Sequence, residues 1–171
     1  SAAFTLHNLW TSSVSPAASK FIARARGKGD DVEVAAVAAH LGRRVLQVGL
    51  LLAVAAPFVW HYVWRRLYGG PWWDGLLVSA ILLAVAAAQF ARGVHFGAGQ
   101  VARGTRVDLI TSVVGIGTTV VLLLAGVQGM LLTLPLSLTM GVYALLCWPW
   151  TARGRPERAL RREMDLFVLF G

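Results

Sequence analysis

The stretch that decides the fold is residues 107–150, VDLITSVVGIGTTVVLLLAGVQGMLLTLPLSLTMGVYALLCWPW, in which Asp108 is the only formally charged residue. A helix needs about 20 residues to cross the ~30 Å hydrocarbon layer of a bilayer. These 44 residues are therefore too long for one span. Gln128 and Gly129 divide the stretch into two segments of suitable length, about 107–127 and 130–150. The stretch therefore predicts two consecutive transmembrane helices.

Two further apolar runs lie upstream, at about 45–64 and 74–95, separated by a turn that contains Gly69, Gly70 and Pro71. Asp30 and Asp31 are suitable N-cap residues, and they predict that the first helix starts below the membrane. Aromatic residues crowd the turn as an interfacial belt: Trp60, Tyr62, Trp64, Tyr68, Trp72 and Trp73. The sequence thus predicts an all-α integral membrane protein with about four transmembrane helices, residues 31–151.

The charge distribution tests this count. The chain has 16 Lys and Arg against 8 Asp and Glu, a net charge of +8. Four spans place 14 of the basic residues on one face and only Arg65 and Arg66 on the other. Basic residues collect on the matrix or cytoplasmic side of membrane proteins, so both termini are predicted there. Because the basic residues flank apolar runs, we expect phospholipids as partners and no nucleic acid.

Two terminal segments flank the bundle. Residues 1–30 form a basic N-terminal arm with five Ser and no acidic residue before Asp30. Such a composition resembles a mitochondrial targeting segment, which favours the mitochondrial inner membrane. A basic arm on the surface of a bacterial cytoplasmic membrane is the alternative. Residues 152–171 alternate basic and apolar side chains and predict an amphipathic helix in the membrane interface.

Ionisable residues gather where the second span ends and the third begins: Arg92, His95, Arg103, Arg106 and Asp108. Charged groups are costly within lipid and are therefore functional candidates. Asp108 has two interpretations. It favours the positive end of its own helix dipole, or it meets a quinone head group or haem propionates together with the arginines.

His95 is the most distinctive of these residues. It lies on a stripe of small residues, and the Gly93-to-Gly97 spacing allows a second helix or a flat macrocycle to approach closely. A neutral imidazole can be an axial ligand of haem iron, which makes His95 the candidate metal ligand. The alternative is ordinary helix packing, with the ring hydrogen-bonded to a neighbour. His61, in the aromatic belt, is interpreted as structural, whereas His40 is expected at a depth similar to that of His95.

The segment HFGAGQV at 95–101, followed by Asp108, and the segment RVLQVGLLL at 44–52 resemble the small cytochrome b membrane-anchor subunit of succinate dehydrogenase. The resemblance implies a helical anchor that shares haem b and a ubiquinone site with its partner subunits. His95, Arg92, Arg103, Arg106 and Asp108 would then line the cofactor site. The chain departs from this family in three respects. Gly93 aligns with the family's haem-ligating His, Leu109 stands where the family has a quinone-binding Tyr, and a fourth span is added to the family's three.

Three functional hypotheses remain open. The first is a membrane-anchor or cytochrome-b-type subunit of succinate:quinone oxidoreductase, which supports electron transfer to ubiquinone. The second is a cofactor-free accessory subunit of a respiratory complex or ATP synthase, which binds lipids and neighbouring chains. The third is a small transporter, for which the spans supply few polar groups besides Thr118, Thr119, Thr133 and Ser137. No combination of nucleophile, base and orienting residue appears, so any enzymatic role is at most that of a non-catalytic or quinone-site subunit.

Overall fold

The computed structural model describes residues 2–64, 66, 69 and 71–170. Within these residues the chain is helical and contains no strand. A π-helical turn, Trp60–Trp64, continues the second helix, and a 3-10 turn, Gly129–Thr133, precedes the fifth. The α-helices are α1 Ala2–Gly27, α2 Asp31–Val59, α3 Asp74–Gly97, α4 Val101–Leu124, α5 Leu134–Cys147 and α6 Arg158–Phe170.

Four helical segments are long and apolar enough to cross a membrane, as the sequence predicts. They are Asp31–Val63, Asp74–Gly97, Val101–Leu124 and Gly129–Cys147. Their apolar side chains are mostly directed outwards, most clearly on α4, where only Gly104, Thr111 and Gly115 are buried. A surface of this kind is compatible with a membrane protein, because lipid tails solvate such side chains as well as a protein interior does.

The boundaries follow local backbone signals. Asp30 is the N-cap of α2, and its Oδ1 accepts a hydrogen bond from the Glu33 amide at 2.8 Å, which confirms the predicted start. α4 begins at Val101 rather than at residue 107, because Gly99, at φ +66°, already completes the turn from α3. α5 ends at Cys147 rather than at residue 150. Trp148 is extended because it precedes a proline, and that position disfavours the helical conformation.

The basic N-terminal segment contributes to the protein core. The side chains of α1 that face the bundle are buried and join a cluster with α2, α3 and α6: Val14, Ala17, Ala18, Phe21 and Ile22. Lys20, Arg24 and Arg26 lie on the opposite, exposed side. The segment is thus an amphipathic helix packed along one side of the bundle.

The C-terminal helix α6 docks on α1 and α2 through both apolar and charged contacts. Met164 is fully buried, and the Phe167 ring meets the Phe21 ring edge-on, with 5.8 Å between the centroids. Arg24 Nη1 lies 3.2 Å from Glu163 Oε2. These contacts hold α6 beside the start of α2, where the basic residues of the two helices meet.

Candidate functional site

Arg92 on α3 and Asp108 on α4 form an ion pair across the helix interface. Arg92 Nη2 donates to Asp108 Oδ1 at 2.6 Å. The same guanidinium lies 5.2 Å from the centroid of the Tyr143 ring and 3.7 Å from Met140 Sδ. Because α4 begins at Val101, Asp108 lies about two turns inside the helix and not in its first turn, so the predicted interaction with the helix dipole is wrong. Its observed partner is Arg92.

Tyr143 belongs to this end of the bundle but was not singled out from the sequence. Its side chain is only 2% exposed, and it packs against Ala88 and Ala91 of α3 together with Ala144 and Cys147. The sequence does show that Tyr143 and Cys147 are four residues apart, and this spacing places both on one face of α5. That spacing does not reveal which neighbour the face meets.

His95 is buried at 7% exposure, and neither of its ring nitrogens makes a hydrogen bond within the described part of the chain. The Gln100 side chain and the backbone of Cys147 are nearby polar groups, but neither meets the geometry of a hydrogen bond. A neutral imidazole carries one donor and one acceptor. Leaving buried polar groups of this kind unsatisfied costs about 1–3 kcal/mol each.

His95 lines a cleft of about 460 Å³, whose volume lies in the range typical of small-molecule sites. Polar groups in its wall come from Gln100, Arg103 and Asp31, and the aromatic surface comes from Trp148 and Trp150. We call this the His95 cleft. It opens between the start of α2, the α3–α4 turn and the segment after α5.

The five residues singled out from the sequence do not form one cluster. His95 and Arg103 share the His95 cleft, whereas Arg92 and Asp108 pair with each other outside its wall. Arg106 is exposed and makes no ion pair with any residue that the structure describes. The candidate ligand-contacting set is thus smaller than the sequence suggests.

The small-residue stripe of α3 is covered by a helix. A Cβ added at Gly93 would collide with the Ser15 carbonyl oxygen, and one at Gly97 would lie 2.7 Å from that of Ser19. The Gly93-to-Gly97 spacing therefore accommodates α1, the first of the two partners that the sequence allowed. This face leaves no room for a macrocycle.

His40 and His61 are separate from His95. His40 Nε2 lies 3.0 Å from Asp165 Oδ1 on α6, and the His61 ring contacts Tyr62 edge-on at 5.1 Å between centroids. Among residues 2–64, 66, 69 and 71–170, no three His, Cys, Asp or Glu side chains are grouped as metal ligands. Within the described part of the chain, His95 is the candidate ligand for an iron bound here.

Hydroxyl side chains of α4 and α5 donate to backbone carbonyls of their own segments. Thr118 donates to the Val114 carbonyl, Thr119 to that of Gly115, and Ser137 to that of Thr133. This is the pattern expected of hydroxyl side chains in apolar helices. These hydroxyls are therefore engaged with the backbone of their own segments.

No family model, curated protein or solved structure matches the chain.

Proposed function

We propose that the chain is a membrane-anchor subunit of a respiratory complex of the succinate:quinone oxidoreductase type. The His95 cleft would take the haem b or the ubiquinone of that complex. The observation that carries the proposal is that the buried His95 lines a cleft and that its two ring nitrogens have no hydrogen-bond partner among the described residues. A ligand that binds these nitrogens would remove the free-energy cost of burying them without a partner.

The residues of the cleft fit both ligands. For haem, the imidazole offers a lone pair that suits iron, and Arg103 offers a charge-assisted hydrogen bond to a propionate. For a quinone, the ring N–H donates to a carbonyl oxygen, and Trp148 and Trp150 provide flat apolar walls. Either ligand would serve electron transfer to ubiquinone, with His95 as the positioning or ligating group.

Residue 93, which aligns with the haem-ligating histidine of the succinate dehydrogenase anchor subunits, could not hold a histidine in this chain. Residues two apart on an α-helix point about 200° away from each other, and Gly93 faces the backbone of α1. A side chain at residue 93 would collide with that helix. His95, on the other side of α3, is therefore the histidine that supports the proposed assignment.

Membrane insertion is part of the same proposal. The inner membrane of mitochondria is the proposed location, with the bacterial cytoplasmic membrane as the alternative, and both termini lie on the matrix or cytoplasmic side. Phospholipids and the other subunits of the complex are the proposed partners. The outward-facing apolar surface of α4, on which Leu124 is 84% exposed, supports a lipid or protein neighbour.

A cofactor-free accessory subunit is the second candidate. The packing of α1 on Gly93 and Gly97 favours it, because the stripe that suggested a macrocycle is explained by a helix instead. Both candidates require a larger complex. They differ in what occupies the His95 cleft.

One purification separates the two candidates. The tagged chain is isolated from its native membrane in mild detergent, its partners are identified by mass spectrometry, and haem and extracted quinone are measured spectroscopically. We expect complex subunits together with haem or quinone, and loss of that ligand in His95→Ala but not in His61→Ala. If other subunits co-purify but neither haem nor quinone is found, the result would support the cofactor-free accessory subunit. A pigment-free monomer would contradict both.

A further inference from the structure

A second cleft of about 520 Å³ lies between α2 and α6. Its wall is formed by His40 and Arg44 from α2 and by Arg158, Arg161, Arg162, Asp165 and Leu166 from α6. We call this the basic cleft. None of its residues belongs to the His95 cleft.

The ion pairs of the basic cleft leave a surplus of positive charge. Arg44 binds Asp165 through two hydrogen bonds, Nε to Oδ1 at 3.1 Å and Nη2 to Oδ2 at 3.0 Å. His40 Nε2 also lies 3.0 Å from Asp165 Oδ1. The one carboxylate in the wall is thus fully used by α2.

The three arginines of α6 have no such partner. Arg158, Arg161 and Arg162 make no ion pair with any residue in the described ranges, and Arg161 Nε is buried without a hydrogen bond. By contrast, Arg24 pairs with Glu163 and Lys28 with Glu33. A buried guanidinium N–H without an acceptor points to an anionic ligand, because such a donor is costly to leave unpaired.

An apolar surface continues from the basic cleft along α2. Leu51 and Phe58 follow Arg44 at seven-residue steps, so they lie on nearly the same helix face, two and four turns further along. Their side chains are 70% and 63% exposed. Leu166 adds an exposed apolar side chain at the cleft itself. A cationic pocket that adjoins an exposed apolar strip matches the two halves of a phospholipid.

We infer that the basic cleft binds the phosphodiester head group of an anionic phospholipid, whose acyl chains lie along the Leu51 and Phe58 face of α2. Guanidinium groups suit this ligand because their N–H pairs match two phosphate oxygens. The inference requires that the chain lies in a membrane. It does not depend on a ligand at His95, and a chain with an empty His95 cleft would still bind the lipid.

The test uses the full chain in a neutral detergent and measures lipid binding by native mass spectrometry. The probes are dioleoyl phosphatidylglycerol, dioleoyl phosphatidylcholine and inorganic phosphate. The two lipids have identical acyl chains, so their difference reports the head group. We expect the anionic lipid to bind more tightly than phosphatidylcholine and than phosphate alone.

The decisive variant is Arg158→Gln with Arg161→Gln, and its control is Arg153→Gln with Arg155→Gln. Both remove two positive charges from the same tail, but Arg153 and Arg155 lie outside the basic cleft. Each basic residue near anionic lipid contributes about a factor of five in affinity, so the cleft variant should bind phosphatidylglycerol roughly 30-fold more weakly. The control should lose much less.

Circular dichroism checks that the variants remain helical. If the double variant does not fold, Arg162→Gln, at an exposed position of the cleft wall, should still weaken binding about five-fold. If the cleft and control variants lose the same affinity for phosphatidylglycerol, the effect comes from net charge and not from the cleft, and the inference is overturned. Inorganic phosphate binding as tightly as the lipid would overturn the lipid assignment, and equal binding of the two lipids would overturn the role of the anionic head group.

Discussion

Arg92 Nη2 on α3 and Asp108 Oδ1 on α4 lie 2.6 Å apart, the shortest ion-pair distance in the described part of the chain. The two side chains retain 21% and 37% of their exposure, so the pair lies at the edge of the bundle rather than in its core. It joins the two helices beside the turn that carries Gln100. Its strength therefore decides how firmly the start of α4 is held against α3.

A double-mutant cycle with Arg92→Gln and Asp108→Asn measures this coupling. We expect each single variant to lower the free energy of unfolding by about 1–2 kcal/mol, because each leaves the other partner without its charge-assisted hydrogen bond. The double variant should lose less than the sum of the two. Denaturation in mixed detergent micelles gives the values, with the exposed Arg106→Gln as a control that changes little. Additive losses would show that the pair contributes no coupling energy.

Gly93→Ala and Gly97→Ala should loosen α1 from α3. Each new methyl group would collide with a backbone carbonyl oxygen of α1, that of Ser15 or that of Ser19, and backbone atoms cannot move aside as a flexible side chain does. Overpacking of this kind costs about 1–3 kcal/mol, which exceeds the gain of up to about 1 kcal/mol from replacing a helical glycine.

Matched controls for this prediction are Gly117→Ala and Gly141→Ala, where an added Cβ meets nothing within 4 Å. These variants should be as stable as the parent chain or slightly more stable, because only the helix-propensity gain remains. Thermal unfolding gives the stability, and limited proteolysis reports release of α1. If all four variants behave alike, the close approach of α1 to α3 is wrong.

The docking of α6 on α2 should weaken in acid. Burial raises the pKa of Asp165, but the hydrogen bonds from Arg44 and His40, together with their charges, outweigh this effect and hold the pKa below its ordinary value. A carboxyl whose pKa is lowered on folding stabilises the folded state above its unfolded pKa. This stabilisation is lost as the pH falls from that unfolded value, about 4, through the folded one.

The measurement is the thermal stability of the parent chain and of Asp165→Asn between pH 7 and pH 3. Asp165→Asn should be less stable at pH 7, and the two chains should converge as the pH falls. Glu163→Gln is the matched control, since its carboxylate forms a more exposed pair with Arg24 and should show a smaller difference. A constant gap between the parent chain and Asp165→Asn at all pH values would contradict the assigned role of Asp165.

The sequence predicts those parts of the fold that local signals determine. Run length and charge give four apolar helices, and Asp30 marks the start of α2 because its side chain caps the nearest amides. The site is predicted less completely. The sequence brings Arg92, His95 and Asp108 to one end of the bundle, but the rotation of α3 decides which of them pair and which line a cleft.

The missed features depend on packing between distant segments. Nothing in the composition of α1 indicates that its apolar side fits Gly93 and Gly97, since a GxxxG spacing accepts any close partner. Trp148 enters the His95 cleft because Pro149 ends α5 there, and the length of α5 is set by that local break. Asp165 and its two partners on α2 are more than 100 residues apart in sequence, so only the docked α6 brings them together.

The proposed membrane topology predicts the labelling of three engineered cysteines. Cys147 is buried and is replaced by Ala to give a cysteine-free background. Gln100→Cys and Arg155→Cys lie at exposed positions beside the α3–α4 turn and in the tail, and Gln128→Cys lies at an exposed position beyond the far end of α4. α4 has 24 residues and is about 36 Å long, enough to cross the hydrocarbon layer.

A membrane-impermeant maleimide applied to sealed vesicles should therefore react with residue 128 from one side and with residues 100 and 155 only from the other. Solubilisation in detergent, which exposes all three positions, is the control for reactivity. Labelling of residues 100 and 155 from the same side is expected if α4 and the Gly129–Cys147 segment both cross the membrane, because two crossings return the chain to its starting side. Labelling of residues 100 and 128 from the same side would show that α4 does not cross. If the Gly129–Cys147 segment still crosses, residue 155 and the α6 arginines would then face the opposite membrane surface from Arg103.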